Sequence, residues 1–143
     1  DKGVFVLTRT TNPSAPFIQD VGEEKVFIRV ARLVEKWGEG VRGESGFSSL
    51  GIVVGATYSE DMRFLREEFP SLLFLVPGVG AQRGDFSSLR FAFREDGEGA
   101  LVTISRDIIF SYLKEKSNEG WGFEEKARDR AIFYQEKLRE ILK

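Results

Sequence analysis

Four short apolar runs divide the chain, at residues 4–7, 51–54, 72–76 and 100–104. They are rich in β-branched residues and lack polar alternation. That is the pattern of strands buried on both faces of a parallel sheet. A helical pattern follows each run. After the first, Val26, Val30, Leu33, Val34 and Trp37 fall at helical spacing, Gly38 marks the stop, and Asp20 with Glu23 resembles a capping-box start. After the second, Ser59 reads as an N-cap, Glu60 and Asp61 suit the first turn, and Pro70 ends the segment. A weaker helical candidate spans residues 86–94. Beyond the fourth run, Ile108, Ile109, Tyr112 and Leu113 make a short apolar face. A final helix carries Phe123, Ala127, Ala131, Tyr134, Leu138 and Ile141 on one stripe.

The alternation predicts four parallel βα units plus a terminal helix, an α/β fold with right-handed crossovers. Two excursions lengthen the first unit, at residues 10–22 and 38–49. The second is rich in Gly and Ser and reads as a flexible segment. Four units are half the number a (β/α)8 barrel needs. The pattern alone therefore leaves a small open sheet and half of a barrel both standing.

The 143 residues suit one domain, residues 1–143, with 41% hydrophobic and 31% charged residues. The 21 Lys and Arg nearly balance 23 Asp and Glu, which argues against a general nucleic-acid binder but leaves room for a local phosphate site. With no Cys and no His, disulfides, thiolate metal sites, imidazole bases and the Ser-His-Asp triad are excluded. No apolar run approaches the ~20 residues of a membrane span, and no N-terminal signal pattern is visible. The chain begins at Asp1 rather than Met, so a processed, truncated or excised polypeptide is expected.

Three stretches carry candidate chemistry. Pro77-Gly78-Val79-Gly80-Ala81-Gln82-Arg83-Gly84-Asp85 follows the third strand, at the end where parallel α/β proteins bind ligands. Its glycines (Gly78, Gly80, Gly84) free backbone N–H groups to face an anion, and Gln82 and Arg83 add donors. The spacing is neither a dinucleotide fingerprint nor a P-loop, and a glycine-rich turn without ligand is an equal alternative on this stretch alone. Thr103-Ile104-Ser105-Arg106-Asp107 ends the last strand. Ser105 is placed to cap the next helix and Arg106 to fork onto a phosphate. By itself a capping Ser with a solvated Arg is the commoner reading; the two stretches together favour an anion site, since barrels often hold phosphate after strands 7 and 8. Thr8-Arg9-Thr10-Thr11-Asn12-Pro13-Ser14-Ala15 follows the first strand; its hydroxyls suit a polar ring edge, though Asn-Pro-Ser is also ordinary turn chemistry.

In order, Val-Leu-Thr-Arg-Thr-Thr-Asn-Pro-Ser-Ala, Gly-Ile-Val-Val-Gly-Ala-Thr-Tyr, Leu-Val-Pro-Gly-Val-Gly-Ala-Gln-Arg-Gly-Asp and Ile-Ser-Arg-Asp-Ile-Ile-Phe closely resemble the C-terminal half of orotidine 5'-phosphate decarboxylase, of the longer bacterial type. The Pro-Gly-Val-Gly-Ala-Gln-x-Gly-Asp stretch is the specific element. The resemblance implies the C-terminal half of a (β/α)8 TIM barrel and a cytoplasmic homodimer of the full enzyme. It implies conversion of orotidine 5'-phosphate to UMP and CO2 in pyrimidine synthesis, without cofactor or metal. It implies that Gln82 lies on a loop closing over phosphate and pyrimidine, and that Arg106 with the backbone around Ser105 grips the phosphate. Thr11 falls where the family usually has a Ser bonded to the pyrimidine amide. Arg83 stands where Gly is common, and Ser105 where some branches have Gly. The family's Asp-x-Lys-x-x-Asp catalytic motif has no counterpart in this chain. The resemblance thus implies a phosphate- and base-binding half that is inactive by itself and pairs with a missing N-terminal half or with a copy of itself. The alternative is a non-catalytic phosphate- or nucleotide-binding α/β module.

Overall fold

The computed structural model describes residues 2–79, 86–113 and 122–143. Four parallel strands lie side by side in chain order: β1 (Val4–Arg9), β2 (Leu50–Val54), β3 (Phe74–Val76) and β4 (Ala100–Val102). Each crossover moves the chain one strand further in the same direction. Right-handed crossovers then place every connecting segment on one face of the sheet. A doubly wound sheet must reverse direction, and this one does not. The order is that of half a (β/α)8 barrel, which settles the choice that periodicity leaves open.

The packing follows from that topology. Ile52, Val54, Phe74 and Val76 turn to the covered face, where they meet Phe27, Ala31 and Val34 of α2 (Val26–Gly38) and Met62 and Leu65 of α3 (Ser59–Glu68). Leu89 and Ala92 of a 3-10 segment (Phe86–Ala92), and Leu138 and Ile141 of the terminal helix, complete this core. Side chains alternate along strands, so the opposite face takes the residues between. Leu7, Val53, Leu75 and Leu101 stand in register as one row across all four strands. Leu7 is 65% exposed and Leu101 52%. This row belongs to the surface that a closed barrel turns inward.

Several elements differ from the sequence reading. α2 buries Phe27, Ala31, Val34 and Gly38 and leaves Leu33 and Trp37 exposed, so its buried face is rotated from the expected stripe. Small residues decide this: Ala31 and Gly38 allow close approach, and a Cβ at Gly38 would collide with Ser48. Asp20 and Glu23 do not cap α2, which starts after Lys25 without a side-chain cap. Asp20 instead ends the short α1 (Pro16–Gln19) and pairs with Arg9. Ser59 is the first helical residue rather than the cap. The unit after β4 has only one α-turn, α4 (Arg106–Ile109), then a 3-10 turn (Ser111–Leu113). The terminal helix α5 (Phe123–Ile141) buries Tyr134, while Phe123 is exposed.

The 38–49 segment has anchors. Ser48 N–H donates to Ser71 O, Ser49 N–H to Val41 O, and Phe47 is buried. No described helix is long and apolar enough to cross a membrane.

At the N-terminal ends of the strands Arg66 acts as a staple. Its guanidinium, lying over the Phe74 ring, donates to Ala92 O, Leu72 O and Gly99 O at 2.8–2.9 Å and, at longer range, to Pro70 O and Phe69 O. Burial, reinforced by Arg94 and opposed by Asp96, lowers its pKa to about 10, so it remains charged at neutral pH.

Candidate functional site

The C-terminal ends of the strands converge on a cavity of about 190 Å³. β1 leads into Thr11, β3 into Pro77, Gly78 and Val79, and β4 into Thr103, Ser105, Arg106 and Asp107. Gly78 has φ +92°, a left-handed conformation that favours glycine and turns the chain sharply where it leaves β3. Four expected site residues are therefore brought to one place: Thr11, Gly78, Ser105 and Arg106. Gly80, Gln82, Arg83 and Gly84 lie outside the described residues.

The β1 end is over-determined. The Arg9 side chain is 3% exposed and sits over the Tyr58 ring at 3.7 Å, with Phe27 at 4.9 Å. Its Nη1 lies 2.9 Å from Asp20 Oδ1 and its Nε 2.8 Å from Asp61 Oδ2, ion-pair approaches without hydrogen-bond alignment at Nε and Oδ1. Nη1 also donates to Gln19 Oε1. Gln19 holds the next residue twice, accepting from Thr10 N–H at 3.1 Å and donating to Thr10 Oγ1 at 2.9 Å. Thr10 donates to Asn12, and Asn12 to Ser14. Within this polar loop Thr11 has no hydrogen-bond partner for its hydroxyl among the described residues, and it is the loop residue that lines the cavity.

Across the cavity Ser105 occupies the N-cap position of α4 but makes no side-chain cap bond, with helical backbone angles (φ −91°, ψ −70°) that turn its hydroxyl away from capping geometry. The expected Ser105 cap is absent, and a one-turn helix adds little macrodipole. Arg106 is exposed and has no ion-pair partner among the described residues. Its neighbour Asp107 is buried and committed elsewhere. Arg130 of α5 approaches Asp107 Oδ2 with Nε and Nη2, both at 2.7 Å, and Tyr134 donates its O–H to the same oxygen. A carboxylate that would repel an anion is thus held by a cation and a phenol.

A wider depression of about 780 Å³ lies outside the sheet, between α3 and the 3-10 segment. It is away from the C-terminal strand ends, and three of its arginines are engaged: Arg63 over Phe91, Arg66 on carbonyls, Arg94 with Asp96 and Glu98. The strand-end cavity is the better site on chemistry.

No family model matches the chain. A relative from Caldicellulosiruptor bescii, orotidine 5'-phosphate decarboxylase, is 42% identical over 113 residues, 78% of this chain and 37% of its own length. One of the same name from Clostridium acetobutylicum is 37% identical over 145 residues, 99% of this chain and 50% of its own length. The chain is homologous to orotidine 5'-phosphate decarboxylase. It spans about half the length, or less, of the curated decarboxylases it matches. Among solved structures, Leishmania donovani UMP synthase superposes with TM-score 0.77 at 30% identity, over 99% of this chain and 28% of that one. A putative Toxoplasma gondii orotidine-monophosphate decarboxylase gives 0.74 at 30%, over 99% and 52%. Both superpositions take in the half-barrel almost entire, so the fold and the decarboxylase homology coincide over the same residues.

The sequence reading gave Arg9, Asp107, Arg130 and Gly55 no role. Arg9 and Asp107 lay inside stretches already singled out. Their signal was a charged residue close to a candidate ligand contact, Arg9 two positions before Thr11 at the end of β1 and Asp107 one position after Arg106 in α4.

Proposed function

We propose that this chain is the phosphate- and base-binding C-terminal half of an orotidine 5'-phosphate decarboxylase. The observation that carries the reading is the strand-end cavity, where a Thr11 hydroxyl and an Arg106 guanidinium, both without a partner among the described residues, meet around one small volume. Arg106 forks onto the phosphate oxygens, helped by backbone N–H groups near Ser105 and by the loop bearing Gly78, Gly80, Gln82, Arg83 and Gly84. Thr11 hydrogen-bonds the pyrimidine amide, and Gln82 reaches between phosphate and base. In the reaction the C6 carboxylate leaves as CO2 and a proton takes its place. The Asp-x-Lys-x-x-Asp device that supplies this chemistry belongs to the complementary half. This half contributes binding energy remote from C6, expressed in the transition state as the loop closes. No cofactor or metal takes part, and the full enzyme is a homodimer.

The test compares the 143-residue chain alone with the chain assembled with the part of the Clostridium acetobutylicum relative that it does not cover. Loss of orotidine 5'-phosphate is followed with CO2 release. The chain alone gives no turnover, and the assembly turns over at ~1 per second or faster. Turnover of that order by the chain alone overturns the division of labour. An assembly that binds UMP without turnover supports the non-catalytic nucleotide module instead.

A further inference from the structure

Gly55 follows β2 directly and is buried. Its φ is not in the left-handed region, so torsion does not explain the glycine. Space does. A Cβ built there overlaps the Thr11 Cγ2 methyl outright, with Thr11 N at 3.4 Å and Arg9 O at 3.5 Å closing the remaining sides. The two backbones cannot separate to make room, because Gly55 N–H donates to Arg9 O at 2.8 Å. The Thr11 methyl is thus seated in a hollow that exists only because residue 55 lacks a side chain.

A threonine has few favourable χ1 positions, and seating its methyl selects one. The hydroxyl is then fixed as well, without spending a hydrogen bond on it. We propose that Gly55 is a positioning residue: its hollow locks the Thr11 rotamer, holding the hydroxyl ready for the base of a nucleotide whose phosphate lies near Arg106. This rests on the functional reading above. It also gives the extra methyl of Thr11, relative to the usual Ser, a use.

The test is a double-mutant cycle in the assembled enzyme with Gly55→Ala, Thr11→Ser and the pair. The readouts are kcat/KM for orotidine 5'-phosphate and the affinities for UMP and for ribose 5-phosphate, which lacks the base. In the Thr11 background Gly55→Ala lowers kcat/KM and UMP affinity tenfold or more and leaves ribose 5-phosphate within twofold. In the Thr11→Ser background, where the colliding methyl is gone, the same substitution costs less than threefold. UMP affinity unchanged by Gly55→Ala overturns the proposal. So does equal loss of UMP and ribose 5-phosphate, which marks general collapse, or an equal cost in both backgrounds. A wild-type assembly that binds neither ligand overturns the functional reading itself. In that case the methyl collision is still read from thermal unfolding, where Thr11→Ser restores the midpoint lowered by Gly55→Ala.

Discussion

Two buried arginines divide the molecule's labour between its ends. Arg66 serves carbonyls at the strand N-termini, and Arg9 serves carboxylates and rings at the C-termini, next to the cavity. Arg66→Ala leaves at least three well-formed carbonyl acceptors without their donor, so it lowers unfolding free energy by about 3 kcal/mol or more, read from urea denaturation. Because the folded-state pKa is depressed to about 10, the charge cost is constant through neutral pH. Stability from this group rises only above about pH 10, where the unfolded chain keeps a proton that the folded one releases. Arg106→Ala acts on ligand instead. A charge-assisted bond contributes roughly 1.5–3 kcal/mol, so UMP binding weakens about ten- to a hundredfold while uridine binding stays unchanged. Titration of both ligands checks this, and equal loss for both sinks the phosphate assignment. The place of Arg106 at the cavity was legible from its position after a strand. Arg66 was not, because Ser-Glu-Asp-Met-Arg-Phe-Leu-Arg-Glu-Glu reads as a polar helix surface and nothing local marks Arg66 as the charge that is buried.

At the scale of elements, α5 is fastened to the cavity wall through Asp107. Tyr134, stacked on Phe86 and edge-on to Phe133, brings its hydroxyl to that carboxylate. Tyr134→Phe keeps the rings and removes one bond to a charged acceptor. It costs about 1.5–3 kcal/mol of stability in denaturant unfolding, and a change under ~0.5 kcal/mol shows the latch idle. The strands and most helices were legible as alternating apolar runs and 3.6-residue stripes. Which stripe of α2 turns inward was not, because apolar residues occur on both sides and the choice fell to the small Ala31 and Gly38. The 38–49 segment read as flexible from its glycines, yet Phe47 and Ser48 are buried within it. Amide exchange is therefore expected to be fast at residues 44 and 45 and slower at 43, 46, 48 and 49, whose N–H groups are bonded. Uniformly fast exchange across 38–49 counts against these anchors.

For the whole molecule, alternation announced parallel βα units but not their spatial order, since an open sheet and a barrel share it. Strand order resolves them, and it leaves β1 and β4 as edges beside the row of Leu7, Val53, Leu75 and Leu101. Edges of this kind pair readily. The 143-residue chain is therefore expected to self-associate at micromolar concentration and to become a defined particle when the complementary half is supplied. Sedimentation checks this, and a compact stable monomer at that concentration counts against it.

That apolar row also has a meaning for the chain's lifetime. Exposed apolar surface is what chaperones and proteases act upon, and small differences in protection change abundance several-fold. A polypeptide displaying this face uncovered is handled as unfinished folding, however well its helical side is packed. Covering the row is therefore expected to lengthen the polypeptide's life in the cell, and baring it to shorten that life.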